Sequence, residues 1–414
     1  MKFKLNKIST LIASTFILSG NMISSASAAS IDQAPPKLVL QITIDALRGD
    51  FLQRFGHLFS KNGGFLYLKK HGINYSNALY QHANTETIVG HTSLATGAPP
   101  STHGMISNAW FDRHEGRMVY NIEDADYKLL TAGGGVDKKS EIDHTQKTAK
   151  NDGRSPGRIL ASTLSDEIML ASNGKAKNFA VSIKDRGAVS MAGHTGKAYW
   201  FSKATGDFVT SDYYYPAYPK WVETFNAQKY PLTYANTDWS LSLPAESYQF
   251  GNSDDQAFET ALPGFGRTFP HAFGPADNKF FTTFLTLSPA GDELTLKFAR
   301  ELLINEDIGT DDVTDYLGVS FSSNDYVGHV FSSSSLENED NLVRLDKTLG
   351  ELLRFIDKQV GLDNTLIVLS SDHGQPEAPG FMQQHGDKSA MYFDIEDAKN
   401  SDTIKTLQAT LGTE

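Results

Sequence analysis

Residues 365–374 read TLIVLSSDHG, an apolar run that ends in Asp372, His373 and a glycine. Three other runs end in a similar way. QITI leads into Asp45, FAVSI into Lys184-Asp185-Arg186, and YLGVSFSSN into Asp325. Each is short and rich in Ile, Val, Leu and Phe, which reads as a buried strand of a parallel sheet. In open α/β sheets, ligands bind beyond the carboxyl ends of the strands. Such a sheet brings Asp45, Lys184, Arg186, Asp325, Asp372 and His373 to one rim. That composition suits divalent metal ions and a phosphate-like anion. Aspartate also follows strands simply because it suits turns. Four such endings, one with a His and one with a Lys-x-Arg, favour a shared site.

Working outward, the segments between the strands carry helical signals. Helices are expected near Asp50 to Phe59, Phe65 to His71 and Thr87 to Leu94, the last stopped by Gly97 and Pro99-Pro100. Residues 76–80 read as a short strand, and 112–155 are polar and mostly loop. Pro156 to Ser172 reads as a helix with Pro near its first turn and a stripe of Ile159, Leu160, Leu164, Ile168 and Leu170. Residues 197–201 and 208–210 suggest a hairpin. From about 212 to 289 the composition turns aromatic and Pro-rich, an insertion that either covers the site or packs a small core of its own. Helices follow near Gly291 to Asn305 and Leu336 to Val360, the latter with Leu342, Leu345, Leu349, Leu352, Leu353 and Ile356 on its buried face.

The first 28 residues read as a secretory signal. Lys2, Lys4 and Lys7 precede the apolar stretch Ile8 to Ile23, and Ala26-Ser27-Ala28 fits the small-x-small cleavage rule. Polar residues interrupt the apolar stretch, so it would span a bilayer poorly, and no stable membrane anchor is expected. Residues 29–414 are then expected to form one mature domain. The formal charge of −12 becomes −15 once three lysines are removed with no acid, a poor match for nonspecific nucleic-acid binding. Cysteine is absent, which excludes a disulfide framework and thiolate chemistry. The expected location is the periplasm or the exterior. The oligomeric state is not legible.

Two motifs carry chemistry beyond the strand ends. In Asn84-Thr85-Glu86-Thr87-Ile88-Val89-Gly90-His91, Thr87 falls at the start of a helix, where free N–H groups and the helix dipole favour anions. A plain capping role for Thr87 is the bland alternative, and Thr85 is its rival. Asp325-x-x-x-His329 places two side chains on one helical face, fit for one metal. With Asp372-His373, these carboxylates and imidazoles suit Zn²⁺.

Taken together, Thr87-x-x-Gly90-His91, His103-Gly104 with Asn108-Ala109-Trp110, Lys184-Asp185-Arg186, Asp325-x-x-x-His329 and Asp372-His373-Gly374 resemble the alkaline phosphatase superfamily. The resemblance runs from about residue 37 to 375. It is nearest to phosphate-irrepressible alkaline phosphatases with a threonine nucleophile, relatives of the type I phosphodiesterases and nucleotide pyrophosphatases. It implies a three-layer α/β/α core with a mostly parallel sheet and an aromatic-rich insertion. It further implies an exported zinc-dependent phosphomonoesterase that hydrolyses small phosphate esters. Asp45, Asp372 and His373 would hold one zinc, which also contacts the Thr87 oxygen, and Asp325 and His329 the second. Thr87 would attack phosphorus to give a phosphothreonine, which water then hydrolyses. Asn108, Lys184 and Arg186 would bind the non-bridging oxygens, where an Arg fork and a Lys point charge complement a dianion.

The resemblance also calls for a His-Gly well downstream of Asp372-His373-Gly374 as a third ligand to the second zinc. Here the only later histidine is His385, in Gln384-His385-Gly386, much closer than the family spacing. The expectation is a chain shortened at its C-terminal end, with the second zinc site incomplete. A phosphodiesterase or nucleotide pyrophosphatase is the alternative within the superfamily, and a non-catalytic metal- or phosphate-binding remnant the alternative outside it. A sulfatase is disfavoured by the absence of its modified Cys or Ser motif. His91 and His103 are read as loop-orienting residues, and the remaining histidines as surface or core residues.

Overall fold

The computed structural model describes residues 34–392 and 400–412; the expected signal segment lies outside them. Six strands form the central sheet: β1 (Leu38–Ile44), β4 (Asn178–Ser182), β5 (Lys197–Phe201), β6 (Phe208–Val209), β9 (Asp315–Phe321) and β10 (Thr365–Ser370). Their spatial order is β10-β1-β9-β4-β5-β6. All neighbours pair in parallel except β5 and β6, the expected hairpin. Register lines up the strand ends. Ser370, Thr43, Ser320 and Ser182 lie in one row across β10, β1, β9 and β4, so all four chains leave the sheet side by side. Two small antiparallel pairs lie apart: β2 (Ala109–Asp112) with β3 (Arg117–Tyr120), and β7 (Asp238–Trp239) with β8 (His271–Ala272).

Alternate residues of β4, β5 and β6 feed two cores, one on each face of the sheet, which makes the fold three-layered. Phe179 and Val181 join Leu38, Leu40, Ile42, Leu317 and Val319 in one apolar cluster, closed by Leu294, Phe298 and Leu302 of the helix Pro289–Asn305 and Leu345, Leu349 and Leu352 of the helix Leu336–Gln359. On the opposite face Ala180, Ala198 and Trp200 pack against Ile88 and Val89 of the helix Thr87–Thr96 and Ala188, Val189 and Ala192 of the helix Asp185–Ala192. Small strand residues on this second face let these helices approach closely. The aromatic segment 212–289 is joined to the larger core through Val222, Phe225, Trp239, Phe265 and Phe273.

Several local expectations are corrected. Strand β10 is not fully buried. Among the described residues it has one neighbour, β1, and stands at the sheet edge, with Leu366 and Val368 52% and 43% exposed. Residues 76–80 form no strand, because no segment among the described residues pairs with them; Leu79 lies in the open. The helix expected over 156–172 shrinks to Leu164–Ala171. Thr163 starts it with a capping box, accepting from the Asp166 N–H while the Asp166 carboxylate accepts from the Thr163 N–H, and this outweighs the looser periodicity upstream. Leu160, assigned to the stripe, is exposed. The 50–59 helix is broken by Gly56 into Phe51–Arg54 and a single 3₁₀ turn. The 112–155 loop contains the strand β3.

Candidate active site

The four strand ends deliver their polar residues to one rim. Asp45 follows β1 and continues the pairing, its N–H donating to the Phe321 carbonyl at 2.9 Å. Lys184 caps the helix Asp185–Ala192 just beyond β4. Asp325 and His329 lie one turn apart on the helix Ser323–Phe331 beyond β9, with His329 Nε2 3.2 Å from Asp325 Oδ1. Asp372 and His373 follow β10. Asp45, Lys184, Asp325 and Asp372 are all buried, and His373 nearly so.

His373 Nε2 is the hub of this group, 3.3 Å from Asp45, 3.6 Å from Asp372 and 3.9 Å from Asp325. Among the described residues, Asp45, Asp325 and His373 offer ligand atoms that all lie within 4.8 Å of one another. This trio cuts across the two ligand sets that the resemblance implies. The donors fit a divalent ion on a specific ground: both Asp45 oxygens and Asp372 Oδ2 are buried without a well-aligned hydrogen-bond donor. Polar groups stand near them nonetheless, with Lys184 Nζ 2.8 Å from Asp45 and His91 Nδ1 2.9 Å from Asp372. Hard oxygens and an imidazole converging on one point are a zinc-type donor set. His329 stands apart in one respect: its side chain is 69% exposed. His385 stacks on Phe381 at the surface and joins no metal-type group among the described residues.

Burial and charge act against each other across the cluster. Burial works to raise the Asp325 carboxyl, but Lys184, His329 and His373 hold it well below the carboxylate range. Burial works to lower His373, but Asp372, Asp45 and Asp325 push it up to about 10. Lys184 is likewise raised, against burial, by Asp325 and Asp45. The rim is thus a dense set of compensated charges rather than a neutral pocket.

Thr87 faces this cluster from the first position of the helix Thr87–Thr96, with Glu86 as the N-cap. Its Oγ1 lies 3.4 Å from Lys184 Nζ and 3.3 Å from Arg186 Nη2. Thr85, its rival, is exposed. Asn108 caps the helix from outside, its Oδ1 accepting the Ile88 N–H at 3.0 Å. Glu86 in turn accepts from the Asn108 N–H and the Ser107 hydroxyl, fixing Asn108 beside Thr87. Arg186 is buried, and its Nε has no hydrogen-bond partner. The geometry thus brings Asp45, Thr87, Asn108, Lys184, Arg186, Asp325, Asp372 and His373 together, with His329 at the exposed margin and Thr85 and His385 outside the group.

Two supporting residues stand outside the ligand and catalytic set expected from the sequence. His91 is fully buried and its Nδ1 lies 2.9 Å from Asp372 Oδ2 and 3.0 Å from the Thr87 carbonyl, while Nε2 lies 2.9 Å from the Ser320 hydroxyl. It links the threonine helix to Asp372 directly, a more specific role than orienting a loop. Asp143, within the polar 112–155 stretch, binds Arg186 Nη1 at 2.7 Å. Only the local pattern Asp143-His144-Thr145, suited to a side-chain-stabilised turn, could have drawn attention to it. His103, by contrast, donates from Nε2 to Ser93 and accepts the Met105 N–H at Nδ1, and burial lowers it to about 4.

Comparison with known proteins shows which family the chain falls in. Residues 39–407 match the type I phosphodiesterase/nucleotide pyrophosphatase family. The chain is 39% identical over 353 residues to alkaline phosphatase PhoV of Synechococcus elongatus, covering 84% of this chain and 61% of that protein. It is 35% identical over 376 residues to alkaline phosphatase PafA of Elizabethkingia meningoseptica, covering 90% and 66%. A crystal structure of wild-type PafA matches with a TM-score of 0.81 at 33% identity, over 92% of this chain and 70% of that one. The chain thus spans under two thirds of the length of these curated relatives. Among the described residues, no helix is long and apolar enough to cross a membrane.

Proposed function

The chain belongs to the type I phosphodiesterase/nucleotide pyrophosphatase family, and from that premise we propose that it is a zinc-dependent phosphomonoesterase acting through Thr87. One observation carries the proposal. The Thr87 hydroxyl sits at a helix N-terminus within 3.4 Å of both Lys184 and Arg186, on the rim where Asp45, Asp325, Asp372 and His373 converge. Two curated relatives named as alkaline phosphatases support the same reading.

The residues divide the work. Asp45, Asp325, Asp372, His373 and His329 would hold divalent metal, with two ions expected and the His329 side of the site the weaker. Bound zinc supplies Lewis-acid stabilisation of the oxygens that gain charge at phosphorus. Thr87 Oγ1 attacks phosphorus, its O–P bond forms as the ester O–P bond breaks, and the alcohol leaves. Water then cleaves the phosphothreonine, returning the Thr87 hydroxyl and releasing phosphate. The helix N-terminus favours the negative charge that collects there. Arg186, Lys184 and Asn108 hold the non-bridging oxygens. Two fixed cations beside the nucleophile favour a dianionic monoester over a monoanionic diester.

The substrates are small phosphate monoesters. The first 28 residues act as a cleaved leader, and the catalytic domain of residues 29–414 works outside the cytoplasm with 212–289 as its insertion. The test compares hydrolysis of an aryl phosphate with that of an alkyl-aryl phosphodiester by the zinc-loaded chain. Faster monoester turnover is expected. Faster diester turnover would assign a phosphodiesterase, and no turnover with zinc bound would assign a non-catalytic binding protein.

A further inference from the structure

The two cations beside Thr87 are held by different devices. Lys184 is gripped by Asp45 and Asp325, which belong to the metal-type cluster. Arg186 is gripped by Asp143, which belongs to no such cluster among the described residues. Asp143 is itself immobilised. Its Oδ1 accepts the Thr145 N–H at 2.9 Å and the Thr145 hydroxyl at 2.6 Å, leaving Oδ2 to receive Arg186 Nη1 at 2.7 Å. Its side chain is only 11% exposed, so solvent screens the pair little.

The Arg186 guanidinium is held at Nη1. Nη1 also lies 3.4 Å from the Tyr120 hydroxyl, which donates to Asp185 Oδ1 at 2.6 Å. Asp185 Oδ2 accepts from Arg154 Nε at 2.7 Å. With Nη1 fixed by Asp143, Nη2 points to Thr87 Oγ1 at 3.3 Å, and Nε is buried with no hydrogen-bond partner among the described residues. A planar fork with one corner pinned and Nη2 directed at the nucleophile is preorganised for a tetrahedral oxyanion. Burial alone would lower the Arg186 and raise the Asp143 group; their attraction reverses both.

We infer that Asp143, locked by Thr145, is the positioning residue that aims Arg186 at the phosphoryl oxygens and so sets the affinity of the site for the phosphate dianion. The inference rests on the phosphatase reading. A competing effect has the opposite sign: a carboxylate near a dianion repels it. The orienting effect wins here, because Asp143 is engaged through both oxygens and its charge is spent on Arg186.

The test measures binding of inorganic phosphate by calorimetry in the zinc-loaded chain, with monoester and diester turnover alongside. Asp143→Asn should weaken phosphate binding at least about tenfold, the scale of one charge-assisted contact. It should lower monoester kcat/KM more than diester kcat/KM. In an Arg186→Ala background the same change should shift phosphate binding less than about twofold, since the residue acts through Arg186. Thr145→Val, which keeps the carboxylate but removes one of its anchors, should give a smaller loss of the same kind and carries the test if Asp143→Asn does not fold. Unchanged or tighter phosphate binding by these variants, or equal losses with and without Arg186, overturns the inference while leaving the phosphatase reading intact. A parent chain that neither binds phosphate nor hydrolyses aryl phosphate overturns the phosphatase reading and this inference with it.

Discussion

Gly90 is where the threonine helix meets the chain that carries Asp372. A Cβ built on Gly90 would stand 1.9 Å from the Asp372 carbonyl oxygen, 2.5 Å from its carbon and 2.8 Å from the Asp372 Cα. Ordinary non-bonded carbon contacts begin at about 3.5 Å. All three obstacles are backbone, so no side chain can swing aside. Gly90→Ala therefore has to push the helix and the Asp372 segment apart by roughly an ångström or more. Helix propensity works the other way, favouring Ala over Gly by about 1 kcal/mol. Overpacking of this kind costs about 1–3 kcal/mol, so the net change should be destabilising despite the better helix former. The larger effect should fall on the site. Separation stretches the 2.9 Å contact between His91 and Asp372 and carries Thr87 away from the metal-type group. Misplacement by about 1 Å costs on the order of 100-fold in rate. The assay is denaturant unfolding, zinc content and aryl phosphate turnover measured on the same preparation. A Gly90→Ala protein that gains about 1 kcal/mol and keeps its zinc and activity would refute the close-approach argument.

Other perturbations test separate parts of the account. Changing both Lys184 and Arg186 to Ala should depress monoester turnover by at least about 100-fold, at roughly 1.5–3 kcal/mol per charge-assisted contact; diester turnover should fall much less, and a parallel assay of the two substrates decides it. His373→Ala should abolish the tightest zinc site, whereas His329→Ala, losing a side chain that is 69% exposed, should leave that site near parental affinity by calorimetric titration. Buried Glu259 is pushed up to about 9 by burial and the neighbouring Glu337, with Asp254 adding to the rise and Arg267 opposing it. A raised carboxyl stabilises the fold fully below its unfolded value, and that contribution fades as pH climbs through the range to about 9. Glu259→Gln should therefore flatten the alkaline fall in Tm; an unchanged slope would exclude Glu259 as its source.

Most of the rim was legible because strand ends announce themselves. Each apolar run stops where the chain leaves the sheet, and the charged residues within the next few positions are those that reach the rim. The order of the strands was not written in any single run. β10 looks as apolar as β1 in sequence, yet one stands at the edge and the other between two neighbours, so its exposed Leu366 and Val368 could not be foreseen. The helix at 164–171 shows local chemistry overriding periodicity: Thr163 and Asp166 fix its start while the apolar stripe ran further back. Asp143 was hidden for a different reason. Its partner Arg186 lies 43 positions away, and a polar loop gives no signal of which carboxylate turns inward. Asp325 and His329 were read correctly as sharing a helical face, but their degrees of burial depend on surrounding chain.

The central claim is that Thr87 carries the phosphoryl group. The direct measurement is peptide mass spectrometry of the zinc-loaded chain, quenched in acid during turnover of an aryl phosphate. The account predicts a single phosphoryl adduct on Thr87, absent from Thr87→Ala and retained in Thr85→Ala. Turnover that persists in Thr87→Ala, or an adduct on Thr85 instead, would contradict it.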